Sequence, residues 1–260
     1  MSPLIAALIL GLMQGVLEWL PVSSQGNLVV LAIAFLGLEP EYALSLSVYL
    51  HLGTGLAALV YFRKQVAGIL GRRADRDREL FRFLLIATMV TGIVGFPIFA
   101  FVKLTSLYGE ALLALTGLAL LATGMMQRNR EGDGDRELKR LDLQDGLTLG
   151  IVQGLSAIPG LSRSGVTTTA LLLKDFPGEE ALRLSFLMSI PASFAAAAGL
   201  ALIEGTPSMD TGILLALVAT FISALVSIDL LIKLARRTRF WKICVVLGLI
   251  ALVAVLPYLL

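Results

Sequence analysis

The amino-acid sequence predicts an all-α polytopic membrane protein, and three observations support this fold class. Of the 260 residues, 57% are hydrophobic and only 15% are charged, whereas soluble domains carry about 25% charged residues. The mean hydropathy is +0.87. Lysine and arginine lie in short clusters between long apolar runs, as charges do that flank membrane segments. The sequence therefore excludes an ordinary soluble enzyme and a nucleic-acid partner.

Six apolar segments are long enough to be full membrane spans, because a helix needs roughly twenty apolar residues to cross a bilayer. They cover residues 44–62, 81–102, 109–127, 183–203, 211–232 and 240–260. Little sequence remains for a soluble domain, so we predict a single integral membrane domain over residues 1–260.

Two further apolar regions are interrupted in the middle by proline, glycine, serine and polar residues. The first interrupted region covers residues 3–37 and the second covers residues 146–175. The apolar arms on either side of each interruption are too short to cross a bilayer singly. Irregular backbone at membrane depth is tolerated only where protein or a wet cavity surrounds it. We predict that each region is a re-entrant helical hairpin.

The positive charges predict the orientation of the chain. Basic residues are concentrated in the loops at 63–82, 128–140 and 233–242, and the positive-inside rule places these loops in the cytoplasm. The six spans then alternate correctly if both interrupted regions return to the side they entered. This scheme predicts a multi-pass protein of the cell membrane with both termini outside and a site that opens to the outside.

The two interrupted regions also resemble each other in sequence. Leu10–Gly15 aligns with Leu149–Gly154 at an offset of 139 residues, Ser23 then meets Ser162, and Leu46-Ser47 matches Leu184-Ser185 at an offset of 138.

Each half is thus one hairpin followed by three spans, and because three is odd the halves form an inverted repeat. We predict repeats at 1–127 and 146–260, joined by a cytoplasmic linker at 128–145. We expect the two hairpins to enter from opposite faces and to meet near the midplane, where Gly11 with Gly15 and Gly150 with Gly154 allow close helix packing.

Ionisable side chains deep in a membrane are costly and point to function. Glu18 lies in the first interrupted region and Arg163 in the second, and an inverted repeat would bring them together. Gln14 lies four residues before Glu18, so a helix puts both on one face. That face would bind a cation, orient water or seal the contact between hairpins. Asp229 is instead expected to pair with Lys233, four residues later on the same helix.

The second turn has the composition of an anion site. Residues 162–165 read Ser-Arg-Ser-Gly and begin a helix that continues through Thr167. Backbone N–H groups at a helix N-terminus, hydroxyls and a guanidinium together bind phosphate, and arginine grips it with a planar fork. The alternative is that Arg163 pairs internally with Glu18, and the two roles are compatible.

Serines in the first turn and one histidine are further candidates. Ser23 and Ser24 are expected either to cap the following helix or to act as nucleophiles. His51 is the only histidine of the sequence. We favour a polar residue packed against the hairpins over a general base for His51.

Two motifs together resemble the signatures of the undecaprenyl-diphosphate phosphatases of the bacitracin-resistance type. Gln14–Glu18 followed by Pro21–Ser24 is similar to the family pattern [E/Q]xxxE–PVSS, and Pro159–Thr167 matches PGxSRSxxT. The resemblance covers the whole chain. It implies hydrolysis of a C55-type polyprenyl diphosphate to the monophosphate and inorganic phosphate, which recycles the lipid carrier for cell-envelope glycans such as peptidoglycan.

The resemblance also implies roles for single residues. Glu18, Ser24 and Arg163 would be catalytic, with Ser24 as the nucleophile. Glu18 and Gln14 would handle protons or bind a divalent cation, Mg²⁺ or Ca²⁺. The predicted substrate-binding residues are Gln14, Asn27, Ser162, Ser164 and Thr167.

The sequence departs from the family pattern at Asn27, where many members carry histidine. An asparagine amide does not titrate near neutral pH and cannot replace histidine as a base. Glu18 could take that role, a metal-bound water could attack directly, or His51 could substitute if the fold brings it to the first turn.

A second function class fits the same features. Inverted repeats with broken helices are typical of secondary transporters, so a flippase that moves polyprenyl phosphate through the same anion site is the alternative to an enzyme. An anion-binding membrane protein without turnover is a third interpretation, and a homodimer is compatible with all of them. Release of phosphate distinguishes the first interpretation from the other two.

Overall fold

A computed structural model describes most of the chain. The described residues are 3–20, 23–72, 74–105, 141–158, 161–205 and 209–237, together with positions 118, 121, 125, 134, 136, 242, 245, 246, 249, 252 and 253. The predicted spans 109–127 and 240–260 and most of the linker 128–145 lie outside the described residues, as do Pro21, Val22, Pro159 and Gly160.

Within these ranges the chain folds into α-helices. They are α1 (Pro3–Leu17), α2 (Ser24–Leu36), α3 (Pro40–Tyr61), α4 (Arg63–Gly71), α5 (Asp75–Thr105), α6 (Leu143–Leu155), α7 (Arg163–Leu173), α8 (Gly178–Glu204) and α9 (Thr211–Arg237). Of the helices described, α3, α5, α8 and α9 are long and apolar enough to cross a membrane. They correspond to the predicted spans 44–62, 81–102, 183–203 and 211–232, and they confirm an all-α, multi-pass membrane protein.

Each interrupted region contains two short helices. The first region forms α1 and α2, and the second forms α6 and α7. The second helix of each pair begins with the same kind of cap: Ser23 Oγ accepts from the Gly26 N–H at 3.3 Å, and Ser162 Oγ accepts from the Gly165 N–H at 3.2 Å. A serine cap satisfies one of the backbone donors that a helix start leaves unpaired. The two serines that matched in sequence thus make the same cap hydrogen bond, although Ser23 has a left-handed backbone with φ 49° and Ser162 an extended one with φ −74°.

The structure differs from one expectation about the basic segments. The basic segment 63–82 was expected to be a loop, but α4 and the start of α5 occupy most of it. Arginine and lysine are good helix formers, and acidic residues in the first turn of α5 favour a helix start there. The cytoplasmic linker at 128–145 stays a prediction. Within its last residues α6 begins at Leu143, because Asp142 and Asp145 form a capping box around the first turn of the helix.

Glycines allow two pairs of helices to pack closely. The first hairpin helix, α1, lies along α9, and α6 lies along α5. A Cβ atom at Gly150 would stand 2.6 Å from Val90 Cβ, and one at Gly154 would stand 2.7 Å from Val94 Cβ. At Gly11 a Cβ atom would meet the Ala216 carbonyl oxygen of α9. The glycine spacing correctly indicated close helix packing, but these glycines pack against the spans α9 and α5 and not, as expected, where the two hairpins meet.

The helices α3 and α8 pack against each other and against members of both pairs. Trp19, just after α1, is fully buried and lies with its ring centroid 4.9 Å from that of Phe186 on α8. The Trp19 indole N–H donates to the Ala224 carbonyl of α9 at 3.1 Å. These contacts fix the first turn in the interior of the protein, where the functional side chains lie.

Candidate active site

The carboxylate of Glu18 is the centre of the candidate site. Its Oε1 atom lies 2.6 Å from Arg163 Nη2. Its Oε2 atom accepts hydrogen bonds from Ser24 Oγ at 2.9 Å and from Gln14 Nε2 at 2.9 Å, and it lies 3.2 Å from His51 Nε2. Four polar side chains, from α1, α3 and the starts of α2 and α7, thus meet at one buried carboxylate.

Arg163 is held on three sides. Besides Glu18, its guanidinium donates from Nη1 to the Ser185 carbonyl of α8 at 3.0 Å and lies 5.9 Å from the centre of the Trp19 ring. A buried carboxylate and a buried guanidinium are tolerated in a membrane when they neutralise each other. The predicted internal pair of Glu18 and Arg163 is therefore present, and Arg163 and Ser24 contact the two oxygens of the same carboxylate.

Hydroxyls of the second turn tie the two turns together. Ser162 Oγ and Ser164 Oγ lie 3.1 Å apart, and both donate to the Leu20 carbonyl, at 3.2 Å and 2.9 Å. Thr167 Oγ1 donates to the Arg163 carbonyl at 2.7 Å. These contacts fix the direction from which Arg163 enters the site.

Two of the predicted substrate-binding residues make mainly local contacts. Asn27 Nδ2 donates to the Ser23 carbonyl at 3.0 Å, and Gln14 supports Glu18. Their direct contact with substrate stays a prediction, as does that of Ser164 and Thr167.

A cavity of about 190 Å³ opens beside these groups. One part of its wall is polar and contains Glu18, Ser24, His51, Ser162 and Arg163. The rest lies between α5, α6 and α8 and is mostly small or apolar, including Gly92, Gly95, Phe96, Phe99, Ala196 and Gly199. An apolar cavity with a few converging polar groups is the usual form of a small-molecule site.

The contacts of the Glu18 carboxylate bear on the divalent cation predicted there. Arg163 occupies one carboxylate oxygen, and Ser24, Gln14 and His51 surround the other, so a cation on Glu18 would lie against a guanidinium. Among the described residues, no group of three or more histidine, cysteine, aspartate or glutamate side chains could hold a metal ion. The residues in this arrangement do not fit a resident divalent cation bound by side chains alone.

Two contacts of the site were not predicted from the sequence. The sequence favoured packing against the hairpins for His51, and the structure adds its contact with Glu18. The Ser185 carbonyl was missed because a backbone acceptor leaves no residue pattern. The repeat contains a signal for this position, because Ser47 aligns with Ser185. The Ser47 carbonyl oxygen lies 2.7 Å from His51 Nδ1. The two equivalent carbonyls each hold a nitrogen-bearing side chain of the site.

Asp229 lies outside the candidate site, as predicted. Its Oδ2 atom is 2.6 Å from Lys233 Nζ, and its Oδ1 atom accepts from the Tyr61 hydroxyl at 3.2 Å. The interpretation as an ion pair within one helix is confirmed.

The fold and the site together define a class: a multi-pass α-helical membrane protein in which a buried serine and a buried carboxylate meet an arginine beside a largely apolar cavity. Residues 7–251 match the family described as Bacitracin resistance protein BacA. The chain is 41% identical over 262 residues to an undecaprenyl-diphosphatase of Methanococcoides burtonii, with 96% of this chain and 98% of the relative covered.

Two further relatives carry the same name. One, from Haloarcula marismortui, is 40% identical over 95% of this chain and 96% of the relative. The other, from Saccharolobus solfataricus, is 35% identical over 98% of this chain and 96% of the relative. The chain belongs to the bacitracin-resistance family.

Proposed function

We propose that this protein is a membrane phosphatase that hydrolyses undecaprenyl diphosphate, or a related polyprenyl diphosphate, to the monophosphate and inorganic phosphate. Relatives that match nearly the whole chain are named for this activity. The observation that carries the proposal is the hydroxyl of Ser24, which donates to a carboxylate that is itself paired with Arg163. Its cellular role would be to recycle the lipid carrier of cell-envelope glycan synthesis.

The contacts of Arg163 suggest how the diphosphate is held. An incoming diphosphate competes with Glu18 for the guanidinium, while the contact with the Ser185 carbonyl keeps the side chain in place. The fork of Arg163 then stabilises the charge on the phosphoryl oxygens, which is the main requirement in phosphoryl transfer.

The hydrogen bond from Ser24 to Glu18 supports a two-step reaction. Ser24 Oγ attacks the terminal phosphorus, its proton passes to Glu18 Oε2, and the bond from phosphorus to the bridging oxygen breaks to release the polyprenyl monophosphate. Water then attacks the phosphorus of the phosphoserine, and the bond from phosphorus to Ser24 Oγ breaks. Glu18 returns its proton to Ser24 Oγ, and the protons of the water leave with inorganic phosphate. No step requires a histidine at position 27.

The mixed character of the cavity supports a lipid substrate. The polar wall suits a diphosphate, and the small and aromatic side chains between α5 and α8 suit a prenyl chain that leaves sideways between the spans. The transporter alternative is not favoured, because the relatives are named as phosphatases and Ser24 already contacts a proton acceptor.

A six-span inverted repeat with two re-entrant hairpins is part of the proposal. Two reciprocal contacts support it: α1 of the first repeat packs on α9 of the second, and α6 of the second packs on α5 of the first. The serine caps at the starts of α2 and α7 support it as well. A single cysteine at position 210 should react with an impermeant maleimide from outside, and one at position 77 should not, in a chain whose native Cys244 is replaced by serine. Outside labelling at position 77 would contradict the orientation.

The divalent cation stays a prediction and is tested with the enzyme itself. Purified protein is assayed after chelation, and then with Mg²⁺ or Ca²⁺ added back. If the cation binds together with the diphosphate, activity should return as the cation is added, up to a cation concentration that matches the substrate concentration. A homodimer is likewise a prediction, to be tested by the mass of the detergent-solubilised protein.

The decisive experiment measures phosphate release from a C55-type diphosphate by wild type, Ser24→Ala and the control Ser45→Ala. Ser45 contacts Glu41 and Glu204 at the far end of α3, so its variant should retain activity. Loss only in Ser24→Ala supports a serine nucleophile, whereas substantial remaining activity favours attack by water. Folded wild type that releases no phosphate with any cation would contradict the enzyme and favour the transporter.

A further inference from the structure

The sole histidine of the sequence, His51, lies in the middle of α3 and contacts the candidate site. Its Nδ1 atom is 2.7 Å from the Ser47 carbonyl oxygen, and its Nε2 atom is 3.2 Å from Glu18 Oε2. We propose that His51 is a positioning residue that keeps the carboxylate of Glu18 directed at Ser24 during the reaction. This inference rests on the proposed phosphatase function.

The two partners of the ring determine its hydrogen bonds. A backbone carbonyl oxygen only accepts, so Nδ1 carries a hydrogen and donates to Ser47. A proton must also lie between Nε2 and Glu18 Oε2, because two bare acceptor atoms at that distance repel each other. The ring therefore connects a fixed point on the α3 backbone with one particular oxygen of Glu18.

That oxygen is the one that accepts the hydrogen bond from Ser24. In the described arrangement, Arg163 holds the other oxygen of Glu18. When a diphosphate replaces Glu18 Oε1 as the partner of Arg163, the contacts that remain on the carboxylate are those on Oε2. His51 and Gln14 then keep Oε2 aligned with the serine hydroxyl, and such alignment makes a large contribution to rate.

The surroundings of His51 distinguish it from a residue that only fills the core. Its side chain is 19% exposed and forms part of the cavity wall. The Ser47 carbonyl holds it as the Ser185 carbonyl, at the equivalent position of the second half, holds Arg163. The two nitrogen-bearing side chains that contact Glu18 from α3 and α7, His51 and Arg163, are thus each held by a backbone carbonyl at an equivalent position of the repeat.

Four variants test this inference in the purified full-length protein: His51→Gln, His51→Asn, His51→Leu and the control Thr54→Val. The amide nitrogen of glutamine reaches about as far as Nε2, whereas that of asparagine reaches only about as far as Nδ1. Thr54 is buried one turn further along α3 and donates to the His51 carbonyl, so its variant reports on packing without touching Glu18.

We expect kcat for phosphate release to fall roughly tenfold to hundredfold in His51→Leu and His51→Asn, with KM changed by less than about threefold. His51→Gln should recover most of the lost kcat, and Thr54→Val should match wild type. If His51→Leu does not fold, the kcat of His51→Gln compared with that of His51→Asn tests the inference, because both replacement side chains are polar and smaller than histidine.

Several results would overturn the inference. Wild-type kcat in His51→Asn would show that the contact does not matter, and equal losses in His51→Gln and His51→Asn would exclude a role through this hydrogen bond. An equal loss in Thr54→Val would indicate packing alone. Wild type without any turnover would overturn the proposed function together with this role, whereas turnover that survives in His51→Leu overturns only the role of His51.

Discussion

Glu18 Oε1 and Arg163 Nη2 lie 2.6 Å apart, although 145 residues separate them in the sequence. The pair joins the turn of the first interrupted region to that of the second, inside the protein. It neutralises both charges in the absence of substrate, and it can open only when another anion takes the place of the carboxylate. Under the proposed function, this contact between the two interrupted regions is also the contact that a diphosphate must displace.

Replacement of Arg163 should abolish binding of the diphosphate as well as turnover. Among the described residues that line the cavity, no other lysine or arginine is present. We expect affinity to fall on the order of a hundredfold in Arg163→Ala, measured by equilibrium binding of a short-chain prenyl diphosphate. Arg163→Lys should recover part of the affinity, because lysine keeps the charge but loses the planar fork.

The matched control for Arg163 is Arg183→Ala. Arg183 pairs with Glu179 at 3.2 Å within α8, and a surface pair of this kind contributes little. Wild-type affinity in Arg163→Ala would contradict the assignment of the anion site.

The substitution Glu18→Gln should separate binding from catalysis. The amide keeps the size of the side chain but removes the proton acceptor for Ser24 and the charge that competes for Arg163. We expect kcat to fall about a hundredfold or more, while the affinity for the diphosphate stays equal or increases. Steady-state kinetics and binding measurements together check this, and a loss of affinity with unchanged kcat would contradict the role of Glu18.

Close packing of α6 on α5 should depend on Gly150. A Cβ atom there would stand 2.6 Å from Val90 Cβ and 2.8 Å from the Ala87 carbonyl oxygen. Gly150→Ala should lower the free energy of unfolding by about 1–3 kcal/mol through overpacking, seen as a lower Tm in detergent. Gly92→Ala is the control, since no atom lies within 4 Å of its added Cβ, and alanine should raise stability by about 0.5–1 kcal/mol.

A buried carboxylate at the start of α6 should make stability depend on pH. Asp145 lies 2.9 Å from Lys174 Nζ and also accepts two hydrogen bonds from Arg136. Burial alone would raise the pKa of Asp145, but hydrogen bonds from Lys174, the Asp142 backbone and Arg136 outweigh it and lower the pKa below its usual value.

A lowered pKa in the folded state means that Asp145 stabilises the protein above the unfolded pKa of about 3.9 and loses this effect as pH falls through the folded value. Asp145→Asn should lower the free energy of unfolding by about 2 kcal/mol at neutral pH and weaken the fall of Tm in acid. Asp75→Asn, whose partner Arg78 lies in an exposed pair, should change Tm little. Equal acid sensitivity in wild type and Asp145→Asn would contradict the prediction.

Much of the fold could be predicted because the length of an apolar run and the spacing of glycines can be read within a short stretch of sequence. The span at 211–232 is recognised from its apolar run alone, and the pair Gly150 and Gly154 predicts close packing before any partner helix is known. The extent of α6 was less predictable, because a capping box depends on the geometry of Asp142 and Asp145 together. The helical segment at 63–71 was missed because a basic composition suits both a loop and a helix.

The sequence by itself determined the membrane class, the two broken regions, the family motifs and the meeting of Glu18 with Arg163. Only the tertiary structure decided that His51 reaches the same carboxylate and that the Ser185 carbonyl holds Arg163. The physical reason is that a buried polar group must find a partner wherever the packed helices supply one. Residue patterns record which groups need partners, whereas helix packing selects the atoms that provide them.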